Sequence, residues 1–253
     1  MFNIKNKYVV LVGALLAQVT IAGLYAWSVF GTALQVERGW DSNAIIWPYA
    51  LAQFVFAFAT LFSGRLVDRK GPGITLAIGG LLYGTGLILS SFVTSPNMVY
   101  ITYGVLTGAG VGFVYVCPLS TLIKWFPKNR GMITGLSVGV FGGGSMIFQR
   151  VIAYFLNTGD ISSAFMKLGI ISMILIFIGA ALTNNPPGFV KQGAQKGPND
   201  FLTNEMIGTP KFKLLWVMFL LAVIPGLLVL GAAKNIGIEV AGFEATAAAG
   251  IIS

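Results

Sequence analysis

Uncharged, largely apolar runs separated by short polar breaks make up almost the whole chain. Tyr8 to Val36 carries no charge, and neither does Ser42 to Gly64. Gly71 to Ile123 is uncharged over 53 residues, room for two runs of the ~20 residues that cross a hydrocarbon layer. Thr94-Ser95-Pro96-Asn97 is the turn signal between those two. Gly131 to Gln149 predicts a fifth span that continues past Arg150 to about Leu156. A sixth, anchored by Leu168 to Thr183, starts near Ser162. Leu214 to Ala233 predicts a seventh, and Phe243 to Ser253 the first part of an eighth. The runs are continuously apolar and do not alternate, which predicts α-helices and not barrel strands. The first run is about twice the length of a signal-peptide core and leads to no cleavage-type site, so it is expected to remain as a span.

This pattern divides the chain into a six-helix bundle over 1–183, a polar linker over 184–213 and the start of a second bundle over 214–253. The linker holds Pro186-Pro187-Gly188, four lysines, Asp200 and Glu205.

Composition agrees. The 253 residues are 56% hydrophobic and 9% charged, with a mean hydropathy of +0.82, where a soluble domain carries about 25% charged residues. The class is an all-α integral membrane protein with the bilayer as its solvent. The net charge of +8 is spread between long uncharged runs and makes no nucleic-acid footprint. There is no histidine and a single cysteine, Cys117. A disulfide within the chain, a Ser-His-Asp triad, a Cys-His pair and a His-ligated metal are therefore excluded. The acids Glu37, Asp41, Asp68, Asp160, Asp200, Glu205, Glu239 and Glu244 fall in or beside the polar breaks. No carboxylate pair sits within a span to hold a metal, and no enzyme, metal or cofactor is expected.

Basic residues set the orientation. With the N-terminus in the cytoplasm, Lys5, Lys7, Arg65, Arg69, Lys70, Lys124, Lys128, Arg130, Lys191, Lys196, Lys211 and Lys213 lie inside. Only Arg38, Arg150, Lys167 and Lys234 lie outside.

Polar residues within the spans are the candidate chemistry. Gln18, Tyr25, Ser28 and Thr32 recur at helical spacing, as do Tyr49, Gln53, Thr60 and Ser63. Such stripes avoid lipid, so they predict either a water-filled cavity or hydrogen bonds between helices. Trp27 lies about 200° round from Tyr25 and is expected to pack elsewhere. Gly104, Gly108 and Gly112, and likewise Gly135, Gly139 and Gly143, are spaced for close helix contact. Tyr115 continues the first of these faces. Arg150 extends the second, where it is expected either to snorkel to the headgroups or to contact an anion.

The segment Gly64-Arg65-Leu66-Val67-Asp68-Arg69-Lys70-Gly71-Pro72 resembles the loop signature of the major facilitator superfamily, with Gly73 where a further basic residue stands in that pattern. The resemblance implies that Gly64, Asp68, Arg69 and Gly71 form a cytoplasmic latch. Further segments occur in order along the chain: Gly23-Leu24-Tyr25-Ala26-Trp27-Ser28-Val29-Phe30, Gly108-Ala109-Gly110-Val111-Gly112 with Tyr115, and Trp125-Phe126-Pro127 with Arg130-Gly131 and Gly135. Glu205-Met206, Thr209-Pro210 and Pro225-Gly226-Leu227 complete the set. Together they resemble the oxalate–formate antiporter family. That resemblance implies a twelve-span fold in the cell membrane and alternating access for small organic anions such as oxalate, formate or lactate. It also implies Tyr25 and Tyr115 as aromatic cavity walls, and a second six-helix half that brings the cations. A proton-linked monocarboxylate carrier and a truncated, non-transporting membrane protein are the alternatives.

Overall fold

The protein is described by a computed structural model covering residues 5–188 and 203–222. Two compact units divide it, Met1–Val190 and Lys191–Ser253. In the second unit the described residues form a short helix, Thr203–Gly208, and a further helix over 210–222. The expected linker is therefore helical in its last third. The rest of the expected seventh span and the eighth lie outside the described residues.

The first unit contains six helices long and apolar enough to cross a membrane: Lys7–Arg38, Ser42–Lys70, Pro72–Ser90, Pro96–Trp125, Arg130–Asn157 and Ile161–Leu182. No strand occurs among the described residues. Helices satisfy their own backbone polar groups, which a hydrocarbon solvent cannot do. Their ends are set by local chemistry. The Asp41 carboxylate accepts from the Ala44 N–H at 2.7 Å and that of Asp160 from the Ser163 N–H at 3.0 Å, both as N-caps. Pro72 and Pro96 open the third and fourth spans, where a missing N–H costs nothing.

The second span runs through the signature segment, so Gly64 to Lys70 is helix and not loop. Arg69 and Lys70 fall in its last turn, where cations suit the helix dipole. Gly71, at φ 93°, is the single residue between the second and third spans. That conformation admits glycine and strains other residues.

The third span packs against the sixth and fourth, the second against the fourth, and the first against the fourth, fifth and sixth. Close packing and interhelical hydrogen bonds, rather than water exclusion, hold such a bundle together. The fourth-span glycines behave as predicted. A Cβ on Gly104 would lie 2.9 Å from Leu51, one on Gly108 2.6 Å from the Ala52 carbonyl oxygen, and one on Gly112 2.5 Å from Ala59. The fifth-span glycines do not. Gly135, Gly139 and Gly143 have nothing within 4 Å, and only Gly144, on the opposite side, meets Val19 and Ala22. The fifth helix thus turns its other side to the bundle and leaves its glycine face bare.

Three spans are irregular. The first narrows to a 3-10 turn over Ala22–Ala26, the second contains Pro48, and the fourth widens to a π-helical stretch over Tyr100–Thr107. The 3-10 turn breaks the predicted polar stripe. Each 3-10 residue advances about 120° against about 100° in an α-helix, so five such residues swing the chain by roughly 100° extra. Gln18 is consequently fully buried inside the bundle, while Ser28 and Thr32 are exposed.

At the end of the first span, one guanidinium ties three elements. Arg38 donates to the Val93 carbonyl at 2.6 Å and to the Ser162 hydroxyl at 2.9 Å. Beside it, Glu37 accepts the Ile161 N–H at 3.1 Å, one of the orphan donors that begin the sixth span.

Candidate functional site

An aromatic wall is assembled from four spans. Tyr25 comes from the 3-10 turn of the first, Tyr49, Gln53 and Phe56 from the second, Tyr115 from the fourth and Phe141 from the fifth. Phe141 is the hub. Its ring centroid is 4.9 Å from that of Tyr25, 5.0 Å from Tyr115 and 6.4 Å from Phe56. Tyr115 meets Phe56 edge-on at 5.3 Å. The two Tyr115 pairs are the T-shaped geometry that ring quadrupoles favour, and the other two are tilted. Phe141 is buried, while Tyr25, Tyr49, Gln53, Phe56 and Tyr115 are half-buried.

The wall carries donors. The Gln53 amide donates to the Tyr49 hydroxyl oxygen at 2.9 Å. That occupies an acceptor site on the phenol and leaves its O–H to point at something else. Tyr25, Tyr49, Phe56 and Tyr115 all pack against the buried core that contains Phe141. Three phenols and an amide on an apolar ground suit a small anion that needs hydrogen bonds and an aromatic boundary. None of the six side chains is charged.

Of the cavity candidates from the sequence, the structure groups Tyr25, Tyr49, Gln53 and Tyr115. Gln18 stands apart, buried with no protein partner for either amide atom among the described residues. Ser28 is exposed beyond the turn, and its carbonyl accepts the Thr32 hydroxyl at 3.0 Å. The second-span stripe also divides. Ser63 donates to the Phe113 carbonyl of the fourth span at 3.0 Å, and Thr60 to its own Ala57 carbonyl at 2.6 Å. The glycine face that Tyr115 continues closes on the second span, and its ring packs against Phe56 and Phe141. Phe56 and Phe141 were not foreseen. Phe56 does fall on the Tyr49–Gln53–Thr60–Ser63 stripe, three residues after Gln53, and that phase was the available signal.

At the basic end of the bundle, Asp68 pairs with Lys124 of the fourth span, Nζ to Oδ1 3.7 Å. An acid in the last turn of a helix opposes the dipole, and the cation offsets it. Gly64 has open space around it, and Arg69 is exposed in the same last turns. Arg150 is exposed, on the bare side of the fifth span with Gly139, Gly143 and Met146.

Comparison with known proteins agrees with this architecture. An uncharacterized MFS-type transporter of Escherichia coli (strain K12), YhjX, is 28% identical over 250 residues, covering 98% of this chain and 62% of that protein. The oxalate:formate antiporter of Oxalobacter formigenes is 33% identical over 228 residues, covering 88% of this chain and 54% of the antiporter. Monocarboxylate transporter 14 of Homo sapiens is 27% identical over 164 residues, covering 65% and 31%. The chain spans roughly half the length of the curated relatives it matches. Residues 10–253 fit the profile of the Major Facilitator Superfamily, and with six membrane-length helices already in place the chain belongs to that superfamily as a multi-pass, all-α membrane protein.

Proposed function

We propose that the chain is the leading part of a secondary transporter that moves small carboxylates across the cell membrane by alternating access, with its N-terminus in the cytoplasm. The carrying observation is the wall itself: the rings of Tyr25 and Tyr115 meet on Phe141, and Tyr49, held by the Gln53 amide, packs against the same core. Relatives named as an oxalate:formate antiporter and as monocarboxylate transporters support the same substrate class. Anion-for-anion exchange fits this unit better than proton symport. Among the described residues every acid lies at or beside a helix end, at Glu37, Asp41, Asp68, Asp160 and Glu205, and no spanning segment offers a mid-depth proton carrier. Transport then requires a second six-helix half, facing the wall and supplying the cation that a carboxylate in hydrocarbon needs.

The test is counterflow of labelled oxalate, formate and lactate in proteoliposomes of the complete transporter containing this chain. Gln53→Leu removes one donor and unseats Tyr49, and is expected to weaken apparent affinity about tenfold, the equivalent of one charge-assisted hydrogen bond. Uptake of none of the three, or uptake that ignores Gln53→Leu, would overturn the reading.

The Asp68 pair is proposed as part of a latch on the cytoplasmic face. Asp68 is 69% exposed, although Lys124 is only 21% exposed, so the carboxylate is screened and contributes about 1 kcal/mol. Asp68→Asn should therefore leave the amount of folded protein nearly unchanged. Maximal turnover is nevertheless expected to drop several-fold. Normal turnover at normal expression would remove Asp68 from the mechanism.

A further inference from the structure

We propose that Trp27 and Tyr103 are positioning residues that fix the spacing of the Tyr25 and Tyr49 hydroxyls, and through it the length of carboxylate the wall selects. The inference rests on the carboxylate reading for its substrate and on geometry for the rest.

Both wall tyrosines stand where a helix is locally weakened. Tyr25 lies in the 3-10 turn Ala22–Ala26, and Tyr49 directly follows Pro48. Such segments hold their shape less firmly than α-helix. The 3-10 turn has poorer hydrogen-bond geometry, and a proline removes one ladder bond and pushes on the carbonyl four residues back. A 3-10 turn in one span and a proline inside the continuous helix of the next would leave the tyrosines loosely related unless something spanned the gap.

One buried aromatic pair spans it. The Leu24 carbonyl, immediately before Tyr25, accepts both the backbone N–H of Trp27 and, at 3.3 Å, the Tyr103 hydroxyl. The Trp27 indole N–H then donates to the Ile45 carbonyl at 2.9 Å, one turn before Tyr49. The two rings lie on each other, with centroids 4.1 Å apart and planes 36° apart. Tyr103 itself sits in the π-helical stretch of the fourth span, so a third irregular segment is drawn into the same knot. Gly31 makes room for it, since a Cβ there would lie 2.6 Å from Ile45. Trp27 and Tyr103 are both buried. Their polar side-chain contacts go to carbonyls that precede the wall tyrosines in each span. In hydrocarbon no water replaces a lost donor, so deleting one frees the backbone it held to move.

Trp27→Phe keeps a ring and removes the indole N–H, and Tyr103→Phe removes only the hydroxyl. Each is made in the complete transporter labelled with 3-fluorotyrosine, with resonances assigned by single Tyr→Phe changes. Both variants are expected to shift the Tyr25 and Tyr49 resonances and to leave that of Tyr154, on the far part of the fifth span, in place. In proteoliposomes the ratio of apparent affinities for oxalate and formate should change about tenfold, the scale of one misplaced hydrogen bond, with saturated turnover within about twofold. If Trp27→Phe does not fold, Tyr103→Phe carries the test. Unmoved Tyr25 and Tyr49 resonances in a folded variant overturn the proposal. So does an equal loss of affinity for both anions together with a lowered melting temperature, which marks a merely structural role. Moved resonances in a protein whose wild type transports no carboxylate uphold the positioning and overturn the substrate reading.

Discussion

Residues 1–253 reconstituted alone are expected to show no carboxylate exchange above empty liposomes, and to gain it when co-expressed with the C-terminal half of the oxalate:formate antiporter. The reason is electrostatic as much as architectural. A carboxylate leaving water sheds a hydration shell that hydrogen bonds alone do not replace. Buried charges are found paired, and an unpaired one at the bilayer centre costs roughly 2.5–3.5 kcal/mol even on the mildest scale. The aromatic wall supplies phenols and an amide but no cation. Arg150 and Lys167, which fall within the fifth and sixth spans, are both exposed. Rocking also needs two bodies, and the six described spans form one compact unit. Saturable exchange by the short chain would overturn this expectation, provided cross-linking shows it to be monomeric. A dimer that rebuilt the second wall from a second copy would announce itself in that measurement.

Gly108→Ala is expected to cost about 1–3 kcal/mol, the range for forcing extra volume into a packed core. The added Cβ would stand 2.6 Å from the Ala52 carbonyl oxygen and 2.8 Å from the Ala52 Cα. Both are backbone atoms of a long helix, so no side chain can step aside and the second and fourth spans must part. Gly139→Ala is the control, because nothing lies within 4 Å of Gly139. Alanine there improves helix propensity by roughly 1 kcal/mol and meets no obstacle within this unit. Thermal unfolding in detergent of residues 1–190 should therefore fall by several degrees for the first change and not for the second. Equal melting temperatures for both would mean that the fourth-span glycines do not close against the second.

These two glycine faces also mark how far the sequence could be read. Spacing placed Gly104, Gly108 and Gly112 on one side and Gly135, Gly139 and Gly143 on another, and both looked alike. Periodicity reports which residues share a face, not what lies opposite. The spans themselves were legible because a run without charge has few alternatives in a bilayer, and Asp41, Pro72, Pro96 and Asp160 punctuate them. The breaks were not. A 3-10 turn over Ala-Gly-Leu-Tyr-Ala and a π stretch over Tyr100–Thr107 have no composition of their own, because they arise where neighbouring helices reward the distortion. That hidden turn is why Gln18, grouped with Tyr25 on paper, ended inside the bundle. Phe56 shows the same limit from another side. It stands among Phe54, Phe58 and Phe62, which are exposed, and only helix phase distinguishes the one that joins the wall. The signature segment was readable as a pattern, but the partner of Asp68 was not. Lys124 lies 56 positions further on, and only the packing of the second and fourth spans brings it within 3.7 Å.

The bare glycine face of the fifth span bears on the entropy of any joint formed there. A helix that docks against leucine or methionine must freeze their rotamers, at about 0.5–2 kcal/mol for each side chain ordered. Gly135, Gly139 and Gly143 have no rotamers to freeze. Contact with them is made through backbone surface that is already fixed, and breaking it releases no side-chain disorder in return. Such a joint forms and parts with little entropic difference between its two states. A moving machine gains from that balance, since a face that clung by its side chains would hold one state at the expense of the other.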